Sequence, residues 1–208
     1  MRFLAALALL LPGSLAAQDS PPNPVDRYFD AHWKESGIKA GAPAGDHEFL
    51  RRASLDVLGR LPKPDEIRAF EKSKDRSKKI DELLDSPEAA EFFADTWLRL
   101  LMNYHFDETA PLRISFPAFR GYLREAHAKD LPYRDFVTQL LSDVGDYKLK
   151  PASNFILAAL DPAMVEPPHE LTSRTTRIFL GLQIHCARCH AHPFDKYTQD
   201  DFWGLTAF

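Results

Sequence analysis

Apolar side chains recur every three or four residues along most of this chain, and that period constrains its fold more than any other feature. In "DHEFLRRASLDVLGR" the positions Phe49, Leu50, Ala53, Val57 and Leu58 share the spacing, with Asp46 placed to cap the start. "LPKP" stops this run, and Pro64 opens a short second helix through Phe70. "EKSKDRSKK" reads as a solvated charged turn, after which Ile80, Leu83 and Leu84 form one apolar edge. "SPEAAEFFADTWLRLLMNYH" has a firm start: Ser86 caps, Pro87 takes the first helical position, and Glu88 meets the positive end of the helix. Its predicted core face is Phe92, Phe93, Trp97, Leu100 and Leu101.

Pro117 and Pro132 start two more helices, "SNFILAAL" forms another, and "ELTSRTTRIFLGLQI" runs straight into the segment after residue 184. Thr198 with Asp201 three places on makes a capping box for a last short helix. No stretch alternates with a period of two, and no internal repeat is present. The fold class is therefore all-α, an irregular multi-helix domain with a C-terminal loop or helix carrying Cys-x-x-Cys-His.

The first residues, "MRFLAALALLLPGSLAAQ", place one positive charge at Arg2 before an apolar run from Phe3 to Leu11. Small residues ending at Ala16 and Ala17 follow, so residues 1–17 read as a secretory signal peptide. The run is shorter than the roughly 20 residues that span a bilayer, so no transmembrane segment is expected after cleavage. Residues 18–25, "QDSPPNPV", are an extended proline-rich lead, and residues 26–208 form a single helical domain. The protein is thus expected to be exported, to the periplasm or outside the cell, where thiols oxidise. A net charge of −4 leaves no basic surplus to neutralise phosphates, which excludes nucleic acid as a partner.

"IHCARCHAHPFDKYTQDDFWGL" holds the only two cysteines, Cys186 and Cys189, with His190 next and His192 two further on. Cys-x-x-Cys-His is the attachment pattern of c-type haem. One helical turn separates the thiols, so both reach the vinyl groups of one porphyrin, and His190 meets the iron as axial ligand. A second reading is zinc or another transition ion on Cys186, Cys189, His190 or His192, and Asp195, although structural zinc sites usually place their second ligand pair a dozen or more residues away. A third is a Cys186–Cys189 disulfide, whose loop is too short to add much stability. The opposite haem face needs a ligand from elsewhere, with Met102, Met164, His105, His127 and His169 as candidates; no methionine follows His190. Asp195, Asp200 and Asp201 lie beside the motif, either as a docking rim or as helix caps. No nucleophile triad, phosphate loop or paired carboxylates are placed for bond-making chemistry, which points to an electron-transfer or accessory domain rather than an enzyme.

"FLRRASLDVLGRLPKPDEIRAF", "LLDSPEAAEFFADTWLRLLMNY", "LPYRDFVTQLLSD" and "FLGLQIHCARCHAHPFDKYTQDDFWGLTAF" together resemble, in that order, a cytochrome-c-like domain family of unknown function from large secreted planctomycete proteins. The resemblance covers roughly residues 25 to 208. It implies haem c on Cys186, Cys189 and His190, followed by the family's His-Pro-Phe-Asp at 192–195, with Ala191 where an aspartate is common. It also implies a larger exported protein, of which this chain would be a fragment or a form truncated at its C-terminus. The partner would then be a redox protein or another domain of that larger protein.

Overall fold

The computed structural model describes residues 23–39, 41–102, 114–159 and 167–208. The expected signal peptide, residues 18–22 of the lead, and the candidates His105 and Met164 lie outside the described residues. Within them the chain forms ten α-helices and no strand, which is the all-α class. Helix α1, Pro24–Glu35, begins inside the expected extended lead, because Asn23 Oδ1 accepts the Val25 N–H at 2.9 Å and Pro24 suits a first turn. It belongs to a compact unit that ends at Ala44, and residues 45–208 make a second unit.

The second unit opens with α2 (Asp46–Leu58), α3 (Pro64–Ser73), α4 (Arg76–Leu84) and α5 (Pro87–Met102). Gly45, not Asp46, is the N-cap of α2; the Asp46 carboxylate instead meets Arg76 Nη2 at 2.7 Å. The charged stretch around residue 75 is mostly helical rather than a turn. Lys74 leaves α3 in the left-handed region, and Asp75 Oδ1 accepts the Lys78 N–H at 3.0 Å to start α4 at once. Ile80 and Leu84 are exposed, and only Leu83 of that apolar edge is buried, with Leu58 and Ala89. Gly59 ends α2 at φ 68°, and a Cβ there would lie 2.2 Å from the Phe92 ring. Beside it Arg60 holds Glu66 at 2.8 Å and also pairs with Glu88.

Helix α5 packs along α6 (Phe116–Ala128), and α7 (Tyr133–Ser142) and α8 (Asn154–Ala159) close the main core. The buried stripe of α5 is Ala90, Ala94, Leu98 and Leu101. Of the predicted face Leu101 is buried, Trp97 packs half-buried on the main core and Phe93 on the Leu58–Leu83 cluster, whereas Phe92 is half-buried and Leu100 exposed; the sequence reading missed Ala90, Ala94 and Leu98. Small alanines let α6 approach closely, and Phe119, Leu123, Phe136, Leu140 and Phe155 fill the space beyond. Asn154 is fully buried and satisfied: it accepts the Ser115 N–H at 2.7 Å and donates to the Tyr147 and Pro151 carbonyls at 2.8 Å. Helices α9 (Pro167–Thr175) and α10 (Gln199–Thr206) frame the C-terminal segment. None of the described helices is long and apolar enough to cross a membrane.

Candidate functional site

The helix before the motif does not run straight into it. The buried Thr176 hydroxyl donates to the Thr172 carbonyl (3.0 Å) and lies 3.2 Å from that of Ser173, and the backbone widens into a π-helix over Thr176–Leu180. Gly181 then stops it at φ 67°, with Leu182 N–H reaching back to the Thr176 carbonyl. A new 3₁₀ turn, His185–Arg188, carries the first cysteine and is capped by the second.

In a helix of three residues per turn, side chains three apart eclipse, so Cys186 and Cys189 project to one side. Both thiols are free and exposed. The other side of the turn is pinned: Ile184 and Ala187 are buried against Phe202 of α10, with Leu182 and Tyr197 packed around them. The Arg188 carbonyl accepts the Trp203 indole N–H at 3.1 Å and the Gln199 side-chain N–H at 3.3 Å. The capping box forms as the spacing predicts, and the Thr198 N–H and hydroxyl hold the Asp201 carboxyl below its usual range. Asp201 is thus a cap.

The two motif histidines differ in what they leave free. His190 Nδ1 lies 2.7 Å from the Ala191 carbonyl, which can only accept, so Nδ1 donates and Nε2 stands outside this bond. His192 uses both nitrogens locally: Nε2–H donates to the Gln183 carbonyl at 3.1 Å, and Nδ1 accepts the Phe194 N–H at 3.3 Å. Asp195 Oδ1 accepts the Lys196 N–H at 2.7 Å. Among the described residues no three histidine, cysteine or acidic side chains converge as a metal site. Zinc held by His192 Nε2 would require it to give up the bond that ties the loop to residue 183.

Of the described candidates for the opposite face, Met102 is buried in the main core, and His127 lies on Phe93 with ring centroids 4.0 Å apart. Burial lowers the His127 pKa. His169 is the one whose ring meets the motif cluster, edge-on to Trp203 at 5.7 Å. Phe194 is 94% exposed, and Leu180 and Trp203 also offer apolar surface.

One residue beside the motif escaped the sequence reading. Arg174 sits where the apolar period of "LTSRTTRIF" calls for a core residue between Leu171 and Ile178, and that misplacement was the available signal. Only 1% of it is exposed, and burial pushes its guanidinium down from the usual arginine range.

No curated protein matches the chain, and no solved structure does. A family model matches residues 24–208, nearly the whole described chain. The chain belongs to the PSCyt2 family, a family of proteins of unknown function (DUF1549).

Proposed function

We propose that this is an exported domain that carries haem c and passes single electrons to a redox protein or to another domain of a larger exported protein. The observation that carries the reading is a pair of exposed thiols one turn apart, followed at once by His190, whose Nδ1 is taken up by the Ala191 carbonyl. The residues fit the group. Each thiol can add across one vinyl: a carbon–sulfur bond forms, the thiol hydrogen moves to the neighbouring vinyl carbon, and no electrons are lost. His190 would hold the iron through Nε2, with the Ala191 carbonyl on Nδ1 fixing the orientation of the ring. When bound, haem supplies a reversible one-electron couple, the partner losing or gaining the same electron.

The rest of the chain's contribution is positional. Ile184, Ala187 and Phe202 hold the turn, and Trp203 and Gln199 fix it through the Arg188 carbonyl. Phe194 and Leu180 present apolar surface that a porphyrin could cover. His169 is the proposed second axial ligand because its ring already touches this cluster. The signal-like N-terminus supports export, and haem is attached to cysteines outside the cytoplasm.

The test is expression in a periplasm competent for cytochrome c maturation, followed by the spectrum of the denatured, reduced protein in pyridine. A haem c spectrum that disappears in Cys186→Ala/Cys189→Ala supports the reading. A colourless protein, with or without stoichiometric zinc, sinks it. His169→Ala should convert a six-coordinate spectrum to a five-coordinate one, and an unchanged spectrum removes His169 as ligand.

A further inference from the structure

A cavity of about 310 Å³ opens beside the motif, lined by Glu170, Ser173, Arg174, Arg177, Gln183 and His185. His185 immediately precedes Cys186, and its Nδ1 lies 3.1 Å from the Ser173 hydroxyl. Arg174 is the unusual wall. Its Nε, Nη1 and Nη2 are all buried and none has a hydrogen-bond partner. The Glu170 carboxylate stands 3.6 Å from Nη2, well beyond the ~2.7–2.9 Å of a charge-assisted hydrogen bond.

A guanidinium in this position is costly. Withdrawing one cation from water costs several kcal/mol, and a geometry without hydrogen bonds recovers little of it. Five N–H donors in a planar fork match a carboxylate or phosphate, so the chemistry that would repay the burial is an oxyanion. Arg174 and Arg177 place two guanidinium groups in the lining and Glu170 one carboxylate. The other walls are the polar side chains of Glu170, Ser173, Arg177, Gln183 and His185. The volume admits a small ligand or one arm of a larger one.

We propose that this cavity is a carboxylate-binding site, with Arg174 as its anchor and Arg177 as its second cation. The carboxylate has two sources: a propionate of a haem attached at Cys186 and Cys189, which rests on the function proposed above, or a free small dicarboxylate, which does not.

The test uses the mature chain prepared both without haem and from a maturation-competent periplasm, with sodium succinate as probe and sodium chloride of equal ionic strength as control. In the haem-free protein, succinate should raise the melting temperature by several degrees where chloride does not. Arg174→Met should abolish that rise, and Arg177→Gln, at an exposed position, should weaken succinate binding about tenfold. If a propionate fills the cavity, the haem protein should not respond to succinate. Arg174→Met should then lower the midpoint potential and shift the propionate bending band in resonance Raman. A succinate response that survives in both preparations assigns the site to the free ligand. Should Arg174→Met not fold, Arg174→Lys and Arg177→Gln carry the same readouts. The site is overturned if succinate does nothing to the haem-free protein and the arginine variants leave the Raman band unmoved. Absence of haem alone defeats only the electron-transfer reading, because the succinate arm still decides this one.

Discussion

The core of α5 to α8 and the segment from Leu182 to Phe208 are built by opposite means. In the first, large side chains such as Phe119, Phe136, Leu140 and Phe155 bury themselves against an alanine-lined helix face. In the second, three buried residues, Ile184, Ala187 and Phe202, suffice, and the rest is held by bonds to backbone groups: Trp203 and Gln199 to the Arg188 carbonyl, His192 to the Gln183 carbonyl. The first solution hides its side chains. The second leaves Cys186, Cys189 and His190 outward, which a reactive site requires. The two regions therefore have different ways to fail.

The largest effects should come from the two phenylalanines that anchor these regions. Phe155→Ala leaves a cavity in the main core and should cost about 3–5 kcal/mol in denaturant unfolding. Phe202→Ala removes as much side chain but from a satellite cluster, so its effect should be local: amide exchange at residues 184–190 accelerates while α5 to α8 keep their protection. If Phe202→Ala lowers global stability as much as Phe155→Ala does, the two regions are one cooperative unit. Gly59→Ala comes next. It forces a Cβ into the left-handed region and into the Phe92 ring, and should cost about 2 kcal/mol or more by thermal denaturation.

Much of the scaffold was legible because it is written in period and punctuation. Ser86 before Pro87, and Thr198 paired with Asp201, mark helix starts that the structure keeps. The failures have equally local causes. Nine mostly charged residues looked like a turn, but Asp75 caps a helix and Lys74 tolerates φ 54°. The aromatic residues of α5 drew the core face toward themselves, whereas the alanines opposite them define the contact. At the candidate site, spacing alone singled out Cys186, Cys189 and His190, all three of which are exposed. The tautomer of His190, the engagement of His192 and the burial of Arg174 depend on backbone carbonyls and neighbouring helices, which no period encodes.

A smaller effect tests the stabilising half through pH. The Arg60 hydrogen bond holds Glu66 at a pKa of about 2, against about 4.3 for an unperturbed glutamate. A depressed carboxyl pKa stabilises the fold above the unfolded value, and that contribution is lost as pH falls from about 4.3 toward 2. Since the pair is about one-third exposed, solvent screening leaves about 1 kcal/mol or less. Arg60→Gln should flatten the stability profile over that window, read from melts at successive pH values. An unchanged acid limb would mean that the other paired carboxylates carry it.

The smallest expected effect is the sharpest test of the separation. Cys186→Ser and Cys189→Ser remove thiols that are exposed and bonded to nothing, so the haem-free protein should melt within about 0.5 kcal/mol of wild type. The buried neighbour between them behaves otherwise: Ala187 has no exposed surface, and Ala187→Leu must displace Phe202 or Ile184, at about 1–3 kcal/mol. Two residues side by side in one turn thus differ in what they carry: Ala187 is part of the packing, and Cys186, exposed, is the one the proposed haem would use. If the serine variants melt several degrees lower without haem, the thiols are part of the scaffold, and the outward face of the turn is structural rather than reactive.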